Sequence, residues 1–396
     1  MIWVTVAVLL GVFGAQVLPS GIALSLLILA FGGAVLCLIL KNKLAPPLFA
    51  LGLALARTLW ISPEFFSISE GAAFAFLLPI RRFFIQALDA LFGADNGFAR
   101  GVLLGDTSEI SRELMVSFQN NGLVHLLSVS GIHVSIIARS TKQISKPFPP
   151  WPRLFFRTFL VLAYVGITGF SSSAVRAALM LFGLWIAIPL RQQEDSPSAF
   201  LFSLAGTVFL MPQSWETVSF QLSFACMFGL LALNQPVAKL LRLPRGSISE
   251  IVSGTLAVTI TMLPIFAYYF GGFSWISVFV SLLVLPVIPI VTLSGFFAML
   301  LYPLLPSFAA LIAAPAKLGL WGITKFMGLL DTTLLPLPKP HVIVIAVYLI
   351  GVLFLSPLYL PNQTRAPQRL FGLAIKKPSL AGLSILALSV LLWVVL

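Results

Sequence analysis

Apolar runs long enough to cross a lipid bilayer recur along the whole chain, and they restrict the fold more than any other feature. A helix needs about 20 predominantly apolar residues to cross the hydrocarbon core. Only 9% of the 396 residues are charged and the mean hydropathy is +1.05, whereas a soluble domain carries roughly 25% charged residues. Because a backbone in lipid must satisfy its own hydrogen bonds, we predict an all-α fold, a polytopic transmembrane helix bundle.

The runs can be grouped into about 11–13 hydrophobic segments of membrane-spanning or nearly spanning length. We predict N-terminal transmembrane helices in residues 1–79, a core domain in 80–302 and C-terminal transmembrane helices in 303–396. The segment from Leu123 to Ala138 is short for a full crossing, which favours a tilted or re-entrant piece. In the run 276–301, Pro286 and Pro289 predict two broken pieces.

Residues 80–122 differ from the rest because their pattern is amphipathic. One helical stripe is apolar and leaves Asp89 outside it; the stripe consists of Phe84, Leu88, Leu91 and Phe92. Four glycines predict that the region breaks into short helices; they are Gly93, Gly97, Gly101 and Gly105. Ser111 predicts the start of a further helix. We expect these helices on the outer face of the membrane or around a vestibule.

The formal net charge of +12 is explained mainly by membrane topology. Cytoplasmic loops of membrane proteins are rich in Lys and Arg, and Lys41 and Lys43 between early segments place the N-terminus inside. Carrying the alternation forward leaves the C-terminus outside. The net charge alone therefore does not indicate a polyanionic ligand.

The stretch HLLSVSGIH gathers polar and small residues inside a hydrophobic segment: His125, Ser128, Ser130, Gly131 and His133. Eight residues of helix advance about 12 Å and rotate about 80° beyond two turns, so one straight helix cannot direct both imidazoles at one metal. The small residues permit close helix packing or close approach of a substrate strand. Pore lining and a packing seam both remain open.

A second constellation, SSSAVRAA, places Arg176 near the outer end of a span. A guanidinium offers five donors in a planar fork that matches phosphate or carboxylate. One of the preceding serines, which include Ser173, is expected to cap the helix. Arg176 is either paired with an acidic residue or available to a phosphate, and the candidate acids are Glu216, Asp106 and Glu113.

The third constellation, QLSF, contains Gln221 and Ser223 at the start of another span. A glutamine in hydrocarbon is costly unless it is paired, so Gln221 should face the bundle. No phosphate-binding loop, nucleophile elbow or Cys/His cluster occurs in the sequence. We therefore expect a protein that is not an enzyme, with no catalytic residues, no metal and no cofactor.

Taken in order, these motifs resemble the competence domain of the ComEC family. The resemblance includes Leu103-Leu104-Gly105-Asp106, Gly122 through Val134, Ser173 through Ala178, and Gln221 through Phe224, and it covers about residues 80–300. Family members often carry an OB-like domain and a metallo-β-lactamase-like domain, and we find neither pattern here. A nuclease activity is therefore not expected.

The resemblance implies a channel-like protein of the bacterial inner membrane that takes up single-stranded DNA during natural transformation. Its implied partners are the DNA strand, membrane lipid, an external DNA receptor and a cytosolic helicase, with a homo-oligomer left open. The path would be lined by the polar residues of the three constellations, and Asp106 would lie in an outer vestibule. The alternatives are a transporter of another anionic substrate, an intramembrane enzyme using His125 and His133, and a scaffold without a path.

Overall fold

The computed structural model describes most of the helical chain. It covers residues 2–17, 26–27, 29–30, 45–60, 77–93, 96–120, 129, 131–242, 244, 246–274, 276–330, 335–355, 369–370, 373–374 and 378–395. The chain forms two compact units, each built from several stretches. The first unit contains residues 1–109, 128–220 and 291–317, and the second contains 110–127, 221–290 and 318–396. The predicted divisions near residues 79 and 302 stay a prediction.

Helices make up nearly all of the described structure, in agreement with the predicted fold class. They are α1 (Ile2–Val17), α2 (Ala45–Trp60), α3 (Leu77–Phe92), α4 (Asn96–Leu104), α5 (Arg112–Asn120), α6 (Gly131–Ile144), α7 (Pro150–Ile167), α8 (Ser172–Trp185), α9 (Ser196–Leu210), α10 (Val218–Leu240), α11 (Ser247–Phe270), α12 (Ile276–Val284), α13 (Ile288–Leu301), α14 (Pro306–Leu329), α15 (Val342–Leu355) and α16 (Pro378–Val395). A short 3₁₀ turn, Ser214–Glu216, precedes α10.

Several helices have the length and composition of membrane spans. Within the described residues these are α10, most of α11 and α14; α12 and α13 together form a further candidate, bent by 42°. The bend confirms the two broken pieces predicted from Pro286 and Pro289. Shorter apolar helices, including parts of α1, α2, α8, α9, α15 and α16, accompany them.

In the first unit, α6, α7 and α8 pack against one another, and α9 connects α8 to α1, which also packs on α2. The core between α6, α7 and α8 is apolar. Its buried members are Val129, Val134, Ile137, Ala138, Leu154, Val161, Tyr164, Val165, Ala174, Val175, Ala177, Ala178 and Trp185. The phenolic hydroxyl of Tyr164 donates to the carbonyl of Leu103 at 3.3 Å, which joins α4 to this core.

In the second unit, α11 packs on α12 and α15, and α15 packs on α16. A two-residue strand β1 (Gly272–Phe273) pairs antiparallel with β2 (Leu335–Pro336), and β3 (Arg369–Leu370) pairs with β4 (Leu373–Ala374). The Trp393 indole donates to the carbonyl of Pro338 at 2.7 Å, which fixes the segment after β2 to α16.

The structure of the amphipathic region agrees with the predicted apolar stripe, the predicted helix start at Ser111 and two of the predicted glycine breaks. The α3 stripe is buried at Phe84, Leu88, Leu91 and Phe92. The Ser111 hydroxyl accepts from the Leu114 N–H at 3.2 Å and α5 begins at the next residue, as predicted. Gly93 and Gly105 follow the ends of α3 and α4 with φ of +58° and +73°.

The predicted breaks at Gly97 and Gly101 are wrong, because both glycines lie inside α4. The reason at Gly97 is packing: a Cβ there would overlap the backbone carbonyl of Glu109. The missing side chain therefore serves a close backbone approach, which favours glycine in a helix despite its low propensity.

Candidate functional site

An arginine joins α3, α4 and the loop that follows α4. Arg100 donates from Nε to Asp89 Oδ1 at 2.7 Å and from Nη2 to Asp89 Oδ2 at 2.5 Å. Its Nη1 lies 2.8 Å from Glu109 Oε1. The hydrogen bonds with Asp89 are the main cause that raises the pKa of Arg100. This bridge connects Glu109, in the loop that contains Asp106, to α3 and α4.

Asp106 lies in that loop and is held by its neighbours. Its Oδ1 accepts from the Ser108 hydroxyl at 2.7 Å and from the Ser108 N–H at 3.3 Å. Partial burial opposes ionisation, but these bonds outweigh it, so the pKa of Asp106 is lowered. Positive charge on Arg81 and Arg100 acts in the same direction. The side chain is therefore an anionic, anchored group and not a mobile one.

Gly105, just before Asp106, brings this loop against two other stretches of the first unit. A Cβ on Gly105 would lie 3.2 Å from the Thr168 carbonyl and 3.6 Å from the Val129 side chain. Thr168 follows α7, and Val129 belongs to the SVSG motif. Val129 of the SVSG motif thus lies beside Gly105 of the LLGD motif.

Arg176 connects the SSSAVRAA motif to Gly131 of the SVSG motif. Its side chain is buried, with 6% exposed, and Nη2 donates to the backbone carbonyl and the hydroxyl of Ser173, both at 3.4 Å. A Cβ on Gly131 would lie 2.9 Å from Arg176 Nη2 and 3.6 Å from the Ala177 Cβ. Only a residue without a side chain leaves this space for the guanidinium.

The start of α8 is capped as predicted. The Ser171 hydroxyl accepts from the Ala174 N–H at 3.3 Å. Of the acids considered as partners for Arg176, Asp106 accepts from Ser108, while Glu216 is exposed. Those ion pairs stay a prediction.

The structure places the remaining predicted residues as follows. His133 lies on α6, two residues after Gly131, and is fully buried. His125, Ser128 and Ser130 lie outside the described residues. Their part in a path stays a prediction.

Gln221 and Ser223 lie on α10 in the second unit. The Tyr269 hydroxyl of α11 donates to Gln221 Oε1 at 3.0 Å, and whether Gln221 faces the bundle stays a prediction. Ser223 is half-buried. Whether these two residues line the same path as Arg176 stays a prediction.

Sequence reasoning missed two arginines. It explains basic residues by membrane topology and assigns neither Arg100 nor Arg157 a contact, although Arg100 bridges Asp89 and Glu109 and Arg157 stacks on Trp185 at 4.0 Å from the ring centroid. The spacing of Leu154, Arg157 and Val161 along one helical stripe could have indicated that this arginine is buried.

Together these features define a class: a polytopic helical membrane protein in which short polar motifs and a buried arginine meet inside an apolar helix group. The family model described as "Competence protein" matches residues 102–360, which is well over half of the chain. The chain therefore belongs to the competence protein family, as its motifs indicated.

Two curated relatives are similar over part of their lengths. ComE operon protein 3 of Bacillus subtilis (strain 168) is 30% identical over 241 residues, which is 59% of this chain and 30% of that protein. The uncharacterized protein YcaI of Escherichia coli (strain K12) is 22% identical over 211 residues, which is 50% of this chain and 28% of that protein. The match thus spans less than a third of either relative. No solved structure is significantly similar to this chain.

Proposed function

We propose that this chain forms a path that conducts single-stranded DNA inward across the bacterial inner membrane. Membership in the competence protein family supports a role in DNA uptake, and the similarity to ComE operon protein 3 supports it further. The observation that carries the proposal is the Arg176 corner, where a buried guanidinium lies between Ser173 and the bare Gly131 backbone.

The chemistry of this corner suits a phosphodiester. Ionisable side chains within membrane segments are costly, and those that persist commonly mark substrate pathways. The planar guanidinium matches the oxygens of a phosphate group. A path for any DNA sequence needs contacts to the backbone and none to base edges. Because Gly131 carries no side chain, the Arg176 guanidinium lies directly against the helix backbone.

The other predicted residues take supporting roles in this proposal. Gln221 and Ser223 remain candidates for lining the path, whereas His133 is fully buried, and the anchored carboxylate of Asp106 lies at the outer vestibule. The chain transports and does not catalyse. Because its sequence holds no nucleotide-binding loop, a cytosolic helicase or an ion gradient supplies the driving energy, and an external receptor delivers the DNA.

The test is uptake of fluorescently labelled DNA in a transformable strain that lacks this gene and is complemented with variants. Arg176→Gln should reduce internalised DNA at least tenfold at an unchanged level of membrane-inserted protein. Lys146→Gln, which changes an exposed basic residue, is the matched control and should take up DNA normally. Normal transformation after deletion of the gene would contradict a role in uptake.

A liposome assay, combined with transformation of the deletion strain, separates DNA conduction from transport of a smaller anion. Purified protein in liposomes should leave chloride and phosphate gradients intact in the absence of DNA. Anion flux that Arg176→Gln abolishes, together with normal transformation of the deletion strain, would favour the alternative transporter.

The orientation of the chain in the membrane can be tested separately. The positive-inside distribution predicts that the turn at Lys146 is cytoplasmic. A cysteine introduced at Lys146 should react with a membrane-impermeant maleimide only after the cells are opened, and labelling of intact cells would contradict the proposed topology.

A further inference from the structure

Arg157 is a second buried cation, and it has no role in the function proposed above. It lies on α7 with 8% of its surface exposed, between Leu154 and Val161 on the buried stripe of that helix. The opposite face of α7 is exposed and apolar, and it includes Phe155, Phe159 and Leu162. The guanidinium therefore points toward the packed helices and away from the face suited to lipid.

The surroundings of Arg157 orient its guanidinium without occupying its donors. Its Cζ lies 4.0 Å from the centroid of the Trp185 ring, so the indole of α8 covers one face of the plane. Within the part of the chain that the structure describes, Nε is buried and has no hydrogen-bond partner. The exposed Glu194 attracts the charge only at a distance, and Arg153 repels it.

Arg153, near the same end of α7, is an arginine whose donors are hydrogen-bonded. Arg153 donates to the backbone carbonyls of Ser145, Lys146 and Phe148 at 2.8–3.2 Å. Arg157, one turn further along the helix, makes no such bond from Nε. Leaving a buried donor of a charged group unpaired is costly, so this position is explained by a ligand that brings its own acceptors.

We infer that Arg157, stacked on Trp185, is a second binding site for the phosphodiester backbone of single-stranded DNA, near the cytoplasmic end of the path; this rests on the proposed function. The ligand is an oxyanion, because the site offers N–H donors and a positive charge. The predicted topology puts this end inside, since the basic residues near it are predicted to be cytoplasmic; they include Lys142, Lys146, Arg153 and Arg191.

The positions of the two arginines along α8 favour a polymer over a single small anion. Arg176 lies in the second turn of α8, and Trp185 is its last residue. Nine residues correspond to about 13.5 Å along the axis and two and a half turns. Arg176 and Trp185 therefore project from nearly opposite sides of α8, and the two guanidiniums form separate sites. A strand with one phosphate per nucleotide can engage both, and several moderate contacts suit passage better than one tight one.

The inference is tested by the salt dependence of DNA binding to the purified full chain. Binding of a fluorescein-labelled oligothymidylate is measured by anisotropy between low and moderate salt. Each phosphate contact on a single strand contributes about 0.7 to the slope of log Kd against log salt concentration. Arg157→Gln and Arg176→Gln should each lower the slope by about that amount, and the double variant by about twice as much.

Three further variants make the result specific. Arg157→Lys keeps the charge and should retain the slope while weakening binding, because it loses the planar fork. Trp185→Leu keeps the arginine and should weaken binding at an unchanged slope. Lys142→Gln changes an exposed basic residue of α6 and should leave both quantities unchanged; a slope as low as that of Arg157→Gln would mean diffuse surface attraction and overturn the site.

The remaining outcomes separate this inference from the proposed function. If the wild-type chain binds no single-stranded DNA, the proposed function fails. If Arg176→Gln lowers the slope and Arg157→Gln and Arg157→Lys both bind like wild type, only the second site fails. If Arg157→Gln instead loses co-purifying anionic phospholipid in nanodiscs with DNA binding unchanged, the site binds a lipid headgroup and the inference is overturned.

Discussion

The bridge from Arg100 to Asp89 and Glu109 should contribute unequally through its two arms. The arm to Asp89 is bidentate, and the Arg100 side chain is only 11% exposed. Hydrogen bonds to charged groups contribute about 1.5–3 kcal/mol, and because the Asp89 side chain is 34% exposed we expect the lower part of that range. The Glu109 side chain is 52% exposed, so that arm should resemble a surface pair, at about 0.2–1 kcal/mol.

Double-mutant cycles measure these two couplings directly. Arg100→Gln, Asp89→Asn, Glu109→Gln and the two double variants are unfolded by SDS titration in mixed micelles, and the free energy of unfolding is compared. The coupling with Asp89 should exceed that with Glu109 by about 1 kcal/mol. The exposed Arg112, changed to Gln, serves as the control and should alter stability little. Equal couplings, or two couplings near zero, would refute the assignment of Arg100 as the connection between α3 and α4.

Three other variants test the packing and electrostatics of the site. Gly97→Ala should destabilise the protein by about 1–3 kcal/mol because the new methyl meets the rigid backbone of the following loop, whereas Gly322→Ala, with open space around its Cβ position, should be neutral or stabilising in the same SDS titration. Gly131→Ala should displace the Arg176 guanidinium, since its methyl would come within 2.9 Å of Nη2, and should lower uptake of labelled DNA with little change in thermal stability; uptake at the wild-type level would contradict this. The lowered pKa of Asp106 means that its stabilisation is complete above its unfolded pKa of about 3.9 and is lost as the pH falls through the folded value. Asp106→Asn should therefore flatten the decline of melting temperature on the acid side of about pH 4, and an unchanged decline would exclude this carboxylate as its cause.

Periodicity was sufficient for the elements whose environment is uniform along a helix. The buried stripe of α3 and the broken pair α12–α13 could be predicted, because helical spacing and proline geometry are local properties. The Ser111 and Ser171 caps could be predicted for the same reason, since a cap involves residues only three apart.

Contacts that depend on distant stretches could not be predicted. The low helix propensity of glycine predicts a break at Gly97, yet the close approach of the Glu109 carbonyl explains why a glycine lies inside α4. Asp89 lies outside the apolar stripe, as the helical spacing indicated, but that spacing cannot show that Arg100 of the next helix reaches it. The burial of Arg157 could be predicted from its position on the helical stripe with Leu154 and Val161. Its stacking partner Trp185 lies 28 residues later by their numbering and could not be predicted.

The helix group α6–α7–α8 is hard to explain as a membrane scaffold alone. A scaffold gains most from apolar side chains at its core, and replacing a buried charge by an apolar residue of similar volume is often neutral or stabilising. Here two guanidiniums, Arg157 and Arg176, are each more than nine-tenths buried beside a core of alanine, valine and leucine. The Gly131 backbone leaves room for one, and Trp185 covers the face of the other. Glycine at a helix position and a desolvated cation both lower stability, so their combination in one helix group supports the proposal that this group binds a negatively charged ligand.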